Sequence, residues 1–279
     1  MKKVIVILLA AALLLSVVGC KKAENKKLTV AMSPDFAPME FVDTSKTGQE
    51  QYVGFDVTLA NFLADELGME LEIKPMSFDA CMTAVQLGSV DMAISGFSWK
   101  PDRAENFLLS DYYIAGDNET QQSVITVKAK ENTCKTQADF SGWKVGAQAS
   151  SLQEQLVKDE LIPAGAELVV YKSIDDAVLA LQTGKIDALA LAHGNGEAII
   201  ANNPDLAFTG FDFDVDPKYE NNVILLNKSN TEMLEKVNKV LAKAMAAGVY
   251  DGWYEDAKAL AGIPTAADVS YDDDGKPVS

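Results

Sequence analysis

Histidine and arginine occur once each in the 279 residues, as His193 and Arg103, and cysteine three times, at Cys20, Cys81 and Cys134. One imidazole leaves almost no material for a histidine-based metal site or a Ser-His-Asp triad. The cysteine spacings fit no zinc pattern, so no metal and no other cofactor is expected. A dinucleotide fingerprint is also missing. Where G-x-G-x-x-G would follow the first strand stands Ser33-Pro34-Asp35-Phe36-Ala37-Pro38, which denies phosphate the close backbone approach that glycines give. The longest apolar run, Val4 to Val18, is about 15 residues, short of the roughly 20 that cross a bilayer as a helix. Basic residues number 24 against 41 acidic, for a formal charge of −17. That balance argues against nucleic acid or anionic lipid as a partner, and the plain reason for it is solubility.

What the first twenty residues do contain is an export signal. Lys2 and Lys3 precede the apolar run, and Val17-Val18-Gly19-Cys20 ends it at small residues and a cysteine. The arrangement resembles a bacterial lipobox, in which the cysteine thiol is lipidated and becomes the first mature residue. Residues 1–19 would then be removed, and Lys21 to Lys27 would serve as a polar tether within segment 20–27. Loss of Lys2 and Lys3 takes the charge from −17 to −19. In an exported chain a disulfide between Cys81 and Cys134 is permitted, but Cys81 falls in an apolar helical pattern where simple burial is the expected state.

The strongest organisational signal is an internal repeat. Ser77 to Gly96 aligns without a gap on Ser173 to Ala192, with identities at Ser77/Ser173, Asp79/Asp175, Ala84/Ala180, Gln86/Gln182, Gly88/Gly184 and Asp91/Asp187. Each copy reads as a serine cap, an amphipathic helix, a glycine able to take the left-handed conformation, and a short apolar strand. Upstream the pattern continues in both halves, with strands at Leu28–Met32 and Leu71–Lys74 around a helix from Asp56 to Leu67, and strands at Lys144–Ala147 and Leu168–Tyr171 around a helix from Leu152 to Lys158. Two βαβαβ units predict an α/β protein of two lobes, each a mostly parallel sheet flanked by helices. Gln121–Lys128 and Asn222–Leu226 are β-rich and would form a two-stranded hinge of the kind that closes around a ligand. A closing helix is expected at Thr231–Ala247. The boundaries that follow are 28–122 for the first lobe, 123–222 for the second, 223–262 for a return into the first, and 263–279 for a tail without order.

In open α/β sheets a ligand lies beyond the carboxyl ends of the strands. That rule selects Asp35 to Glu40, Ser95-Gly96-Phe97-Ser98, Gln148 to Ser151, and Ala192-His193-Gly194-Asn195. Arg103 lies just past one of these ends. In a chain that otherwise uses lysine, its rigid guanidinium fork suits a carboxylate held by two parallel hydrogen bonds. The alternative is a surface arginine paired with Asp102 or Glu105. Phe36 and Phe78 are candidate apolar walls, or else core. Ser98 offers a hydroxyl, Gly96 a close approach, and Ser151 and Leu152 the amides of a helix start.

Tyr52-Val53-Gly54-Phe55-Asp56, Asp91 to Gly96, Pro101-Asp102-Arg103, Phe107 to Tyr113 and Ala247 to Trp253 together resemble the polar amino-acid solute-binding proteins of ABC transporters, family 3 of the extracellular solute-binding proteins, over nearly all of Leu28 to Gly262. The resemblance implies a lipid-anchored, extracytoplasmic, monomeric clamp that captures an amino acid and delivers it to permease subunits. It gives Arg103 the ligand α-carboxylate with the amides near Ser151 and Leu152, Gly96 and Ser98 the α-amino group, Phe36 and Phe78 the side-chain sandwich, and Asp35 and Gln148 selectivity. Phe97 and His193 complete the expected site, His193 either touching ligand or packing. One position departs from the family: Ala192 stands where an aspartate usually pairs with the ligand ammonium. Either Asp35, Glu40 or Glu197 replaces it, or the ligand is a carboxylate without a standard ammonium group. The rival reading is an exported dehydratase on the same scaffold, with Glu40 or Glu197 as general acid, although no nucleophile–base pair is evident. A sensor or adhesion module is a further reading, for which the chain offers no signalling domain.

Overall fold

A computed structural model describes residues 26–113, 121–219 and 221–265, together with 270–271 and 277–278. Residues 1–19 expected as a leader, Cys20 and nearly all of the expected tether lie outside the described residues. The first lobe begins with β1 (Lys27–Met32) and a small antiparallel sheet of β2 (Asp35–Phe36), β3 (Glu40–Val42) and β4 (Tyr52–Val53). It continues through α1 (Phe55–Leu67), β5 (Glu70–Pro75), α2 (Phe78–Gln86), β6 (Met92–Ala93), α3 (Pro101–Asn106) and β7 (Leu108–Leu109). The second lobe holds β8 (Gln122–Val127), β9 (Lys144–Gln148), α4 (Leu152–Leu156), β10 (Glu167–Tyr171), α5 (Ile174–Gln182), β11 (Ala188–Ala192), α6 (His193–Asn202) and β12 (Leu206–Asp212). The chain then returns through β13 (Leu225–Leu226), α7 (Thr231–Ala247) and α8 (Tyr250–Ala261).

The two main sheets have matching topology, β5-β1-β6-β13-β7 and β10-β9-β11-β8-β12. In each, three parallel strands from one βαβαβ unit are followed by a fourth that runs against them and an outer fifth antiparallel to the fourth. The repeat has a physical basis at its last identity. Asp91 accepts the Thr29 N–H at 2.7 Å and Asp187 accepts the Lys144 N–H at 3.0 Å. Val30 pairs with Met92 and Val145 with Ala188, so the two aspartates fasten equivalent strand starts.

The two serines of the repeat, both expected as caps, differ. Ser173 accepts the N–H groups of Asp175 and Asp176, whereas the Ser77 hydroxyl bonds the Asp79 carboxylate at 2.6 Å and caps no amide. The second-half helix expected to end at Lys158 passes from α4 into a π-helical turn, Val157–Leu161, ahead of Pro163. Gly88 and Gly184 take positive φ, 66° and 69°, as the helix stops required.

Each lobe closes over its own core. Leu59, Leu63, Met92, Leu226, Leu241 and Phe55 meet in the first, with Phe55 among Tyr113, Tyr250, Trp253 and Tyr254. Val145, Leu161, Phe140 and Phe211 meet in the second. Cys81 is buried in a first-lobe cluster and Cys134 in a second-lobe cluster, both as free thiols. Part of the tail expected to lack order is paired: Ser270–Tyr271 with Pro277–Val278, antiparallel. Ile263, assigned to the same tail, is buried against Ala198 and Ala261.

Candidate functional site

The parallel strands of both sheets end at one cavity. The first lobe lines it with Ser33, Phe36, Glu40, Phe78, Ser95, Gly96, Ser98 and Arg103, and the second with Gln122, Gln148, Ser151, Leu152, Gln153, Ile174, Ala190, Leu191 and Ala192. Gly96 has φ +54°, and a Cβ there would sit 2.6 Å from the Phe36 ring. The position demands glycine for both reasons.

Arg103 is 2% exposed and so is no surface arginine. Its Nη1 donates to the Ser98 carbonyl at 2.5 Å, and its Nη2 crosses to the other lobe to reach the Ser150 carbonyl at 3.0 Å. Ser150 holds φ 65°, an uncommon conformation for a residue with a side chain. The guanidinium lies 5.5 Å from the Phe78 ring centre and 5.3 Å from that of Phe97. Its Nε has no hydrogen-bond partner among the described residues, and no described carboxylate forms an ion pair with it; Asp102 lies instead 3.8 Å from Lys100. Burial pulls the guanidinium down to about 10, which still leaves it charged at neutral pH. A buried cation with an idle donor and no counter-ion among the described residues is built for an anion from outside the protein.

Among the described residues Glu40 is the single carboxylate in the lining, and it is fully buried. Ser95 donates its hydroxyl to Glu40 and takes the Ser33 N–H at 3.0 Å. Asp56, at the start of α1, accepts the Gly96 N–H at 2.8 Å and the Tyr113 hydroxyl at 3.1 Å, and its own N–H donates to the Met39 carbonyl at 2.8 Å, which sets it beside Glu40. Burial pushes Asp56 up to about 7, against the pull of these donors.

Of the twelve residues the sequence proposed, nine line the cavity: Phe36, Phe78, Gly96, Ser98, Arg103, Gln148, Ser151, Leu152 and Ala192. Three do not. Phe97 is fully buried beneath the lining, stacked on Phe78 at 4.6 Å, because its side chain faces the core side of the strand end. His193 stacks on Phe208 at 4.4 Å and bonds the Ser123 hydroxyl at 2.8 Å, so it packs. Asp35 spans the lobes, accepting the Ile174 N–H at 2.8 Å and lying 3.4 Å from Gln148 Nε2. Glu197 is 3.9 Å from His193 and outside the lining. Sequence reasoning named Ser95 only within a selected segment and Gln122 only within the hinge, and it missed Ser33, Gln153, Ile174, Ala190 and Leu191. Gln153 and Gln122 bond each other at 2.5 Å, and such a pairing across 31 residues has no local signal.

Two α/β lobes of matching topology with a cavity at their facing strand ends define a two-lobed binding protein of the type II periplasmic class. The chain belongs to the bacterial extracellular solute-binding proteins, family 3, whose profile matches residues 28–256. It is 28% identical over 247 residues to the arginine-binding extracellular protein ArtP of Bacillus subtilis, covering 86% of this chain and 92% of that one. It is 25% identical over 236 residues to the histidine-binding periplasmic protein of Salmonella typhimurium, covering 81% and 85%. Among solved structures, the amino acid ABC transporter substrate-binding protein AbpA of Streptococcus pneumoniae, bound to L-arginine, superposes with a TM-score of 0.77 at 35% identity, over 86% of this chain and 97% of that one.

Proposed function

We propose that this chain is the substrate-binding component of an ABC importer and that it holds an amino acid between its lobes. Residues 28–122 and 223–262 make one lobe and 123–222 the other. Arg103 takes the α-carboxylate, with help from the helix start at Leu152, and Phe36 and Phe78 flank the side chain. Glu40 stands in for the aspartate that Ala192 lacks and receives the ligand's cationic group. Delivery is to permease subunits by a monomer tethered through lipidated Cys20. The observation that carries this reading is the buried Arg103 with its idle Nε and no counter-ion among the described residues. The arginine- and histidine-binding relatives support an amino acid as the ligand, and L-arginine is the first to try.

The test is a thermal melt of ligand-stripped residues 21–279 with L-arginine, L-histidine, L-glutamine and L-arginine methyl ester. At about a hundred times Kd a bound ligand adds roughly 2.7 kcal/mol to stability. Stabilisation by a free amino acid, none by the ester and none in Arg103→Ala is expected. An ester that stabilises as well as the acid, or binding that survives loss of Arg103, sinks the assignment.

A further inference from the structure

The Glu40–Asp56 pair poses a charge problem that the binding reading leaves open. Two fully buried carboxylates, Glu40 held by the Ser95 hydroxyl and Asp56 by the neighbouring Gly96 N–H, share one water-poor site where both cannot stay ionised, so the pair keeps one proton. The pair therefore carries one negative charge, and Arg103, in the same cavity lining, carries one positive. A neutral amino acid enters as a zwitterion, its carboxylate on Arg103 and its ammonium on the pair, and the closed site remains balanced. L-arginine brings one more positive charge. Among the described residues no other carboxylate lines the cavity to meet it: Asp35 is engaged with Ile174 and Gln148, Glu197 with His193, and position 192 is alanine.

We propose that the Glu40–Asp56 pair is a charge-adjustable acceptor that keeps its shared proton when a neutral amino acid binds and releases it to solvent when the ligand carries a second cationic group. The step is an exchange of one proton for one ligand charge, with no other bond made or broken. An uncompensated charge in a water-excluded cavity is costly. A proton leaves cheaply from a site poised near neutrality, and burial holds Asp56 at about 7. The remaining titratable groups around the pair do not take over the task. Tyr113 donates to Asp56, and the thiol of Cys81 is pushed upward by burial and by Glu40, Asp35 and Asp79, so it stays protonated.

This inference rests on the amino-acid reading, and calorimetry separates the two. Titrations of L-arginine and L-glutamine into the wild type at pH 6, in two buffers of different ionisation enthalpy, give the protons exchanged per ligand bound. About one proton released with arginine and none with glutamine is expected, the release fading by pH 8.5. The arginine Kd should weaken by up to about tenfold per unit as pH falls below 7, while the glutamine Kd stays flat. Glu40→Gln, checked for folding by circular dichroism, and Asp56→Asn should both abolish the release. Arginine binding with no proton release, equal release with glutamine, glutamine binding without arginine binding, or release unchanged in either folded variant overturns the proposal while leaving an amino-acid site standing. Binding of neither ligand overturns both.

Discussion

Arg103 and Glu40 show how differently two residues of one site announce themselves. Arg103 was legible because it is the sole arginine of the chain and sits just past a strand end; its chemistry is rare here and its position follows from the fold rule. Glu40 stood in the sequence as one of three candidates to fill the place of Ala192 and as a general acid in the rival reading, with nothing to single it out, since its importance depends on Ser95 and Asp56, 55 and 16 residues away. Phe97 was misplaced for a simpler reason: an aromatic at a strand end can face the cavity or the core, and one residue of register decides which. Gly96 allows a sharp check at this scale. Gly96→Ala forces a side chain into the left-handed region, a penalty of about 1–2 kcal/mol, and sets a methyl group 2.6 Å from the Phe36 ring. Urea denaturation should show a loss of at least that size, and ligand titration a Kd raised more than tenfold, since Phe36 must move from the lining.

Elements were legible where their periodicity ran long. The parallel core of each lobe, from β1 to β6 and from β9 to β11, was read from the repeat and from the strand–helix pattern upstream of it, and α7 came out at its observed limits of Thr231–Ala247. The antiparallel additions were harder, because β7 and β13 are two residues each and show no alternation. The segment read as a strand from Asn222 is one only at Leu225–Leu226, with Asn222 in isolated bridges to Ser98 and Tyr113. Nor could the repeat reveal that its two serines differ, since a cap bond depends on backbone angles that an identical letter does not fix. Ser77 has ψ 155° with φ −66°, while Ser173 has φ −124° and reaches two amides. Ser173→Ala should cost about 1 kcal/mol of stability, and Ser77→Ala less than about 0.5 kcal/mol, both measured as shifts in denaturation midpoint at constant slope.

For the molecule as a whole, the buried Asp56 leaves a signature in stability against pH. Its folded value, about 7, lies above the ordinary aspartate value of 3.8. The native state therefore holds a proton that the unfolded chain has given up across that interval. The contribution of this group is full below the unfolded value and declines as pH rises toward 7. Exposed carboxylates such as Asp43, Asp139 and Glu232 are lowered by nearby hydrogen bonds and act in the opposite sense. The quantity to measure is thus the difference between wild type and Asp56→Asn in free energy of unfolding from pH 4 to 8, which should shrink steadily for the wild type relative to the variant and level off above 7. A difference that grows with pH contradicts the buried, shared proton.

Four of the contacts that join the lobes need no ligand. Asp35 holds the Ile174 amide, Asn195 the Ala37 carbonyl at 2.9 Å, Asn202 the Ala261 carbonyl at 3.2 Å, and Arg103 the Ser150 carbonyl. A receiver that recognises only the shut shape would then register some empty messengers along with the loaded ones. For a pump that spends fuel on each arrival, those protein-only bonds set a floor of wasted strokes, and the strength of the Asp35 link tunes how high that floor stands.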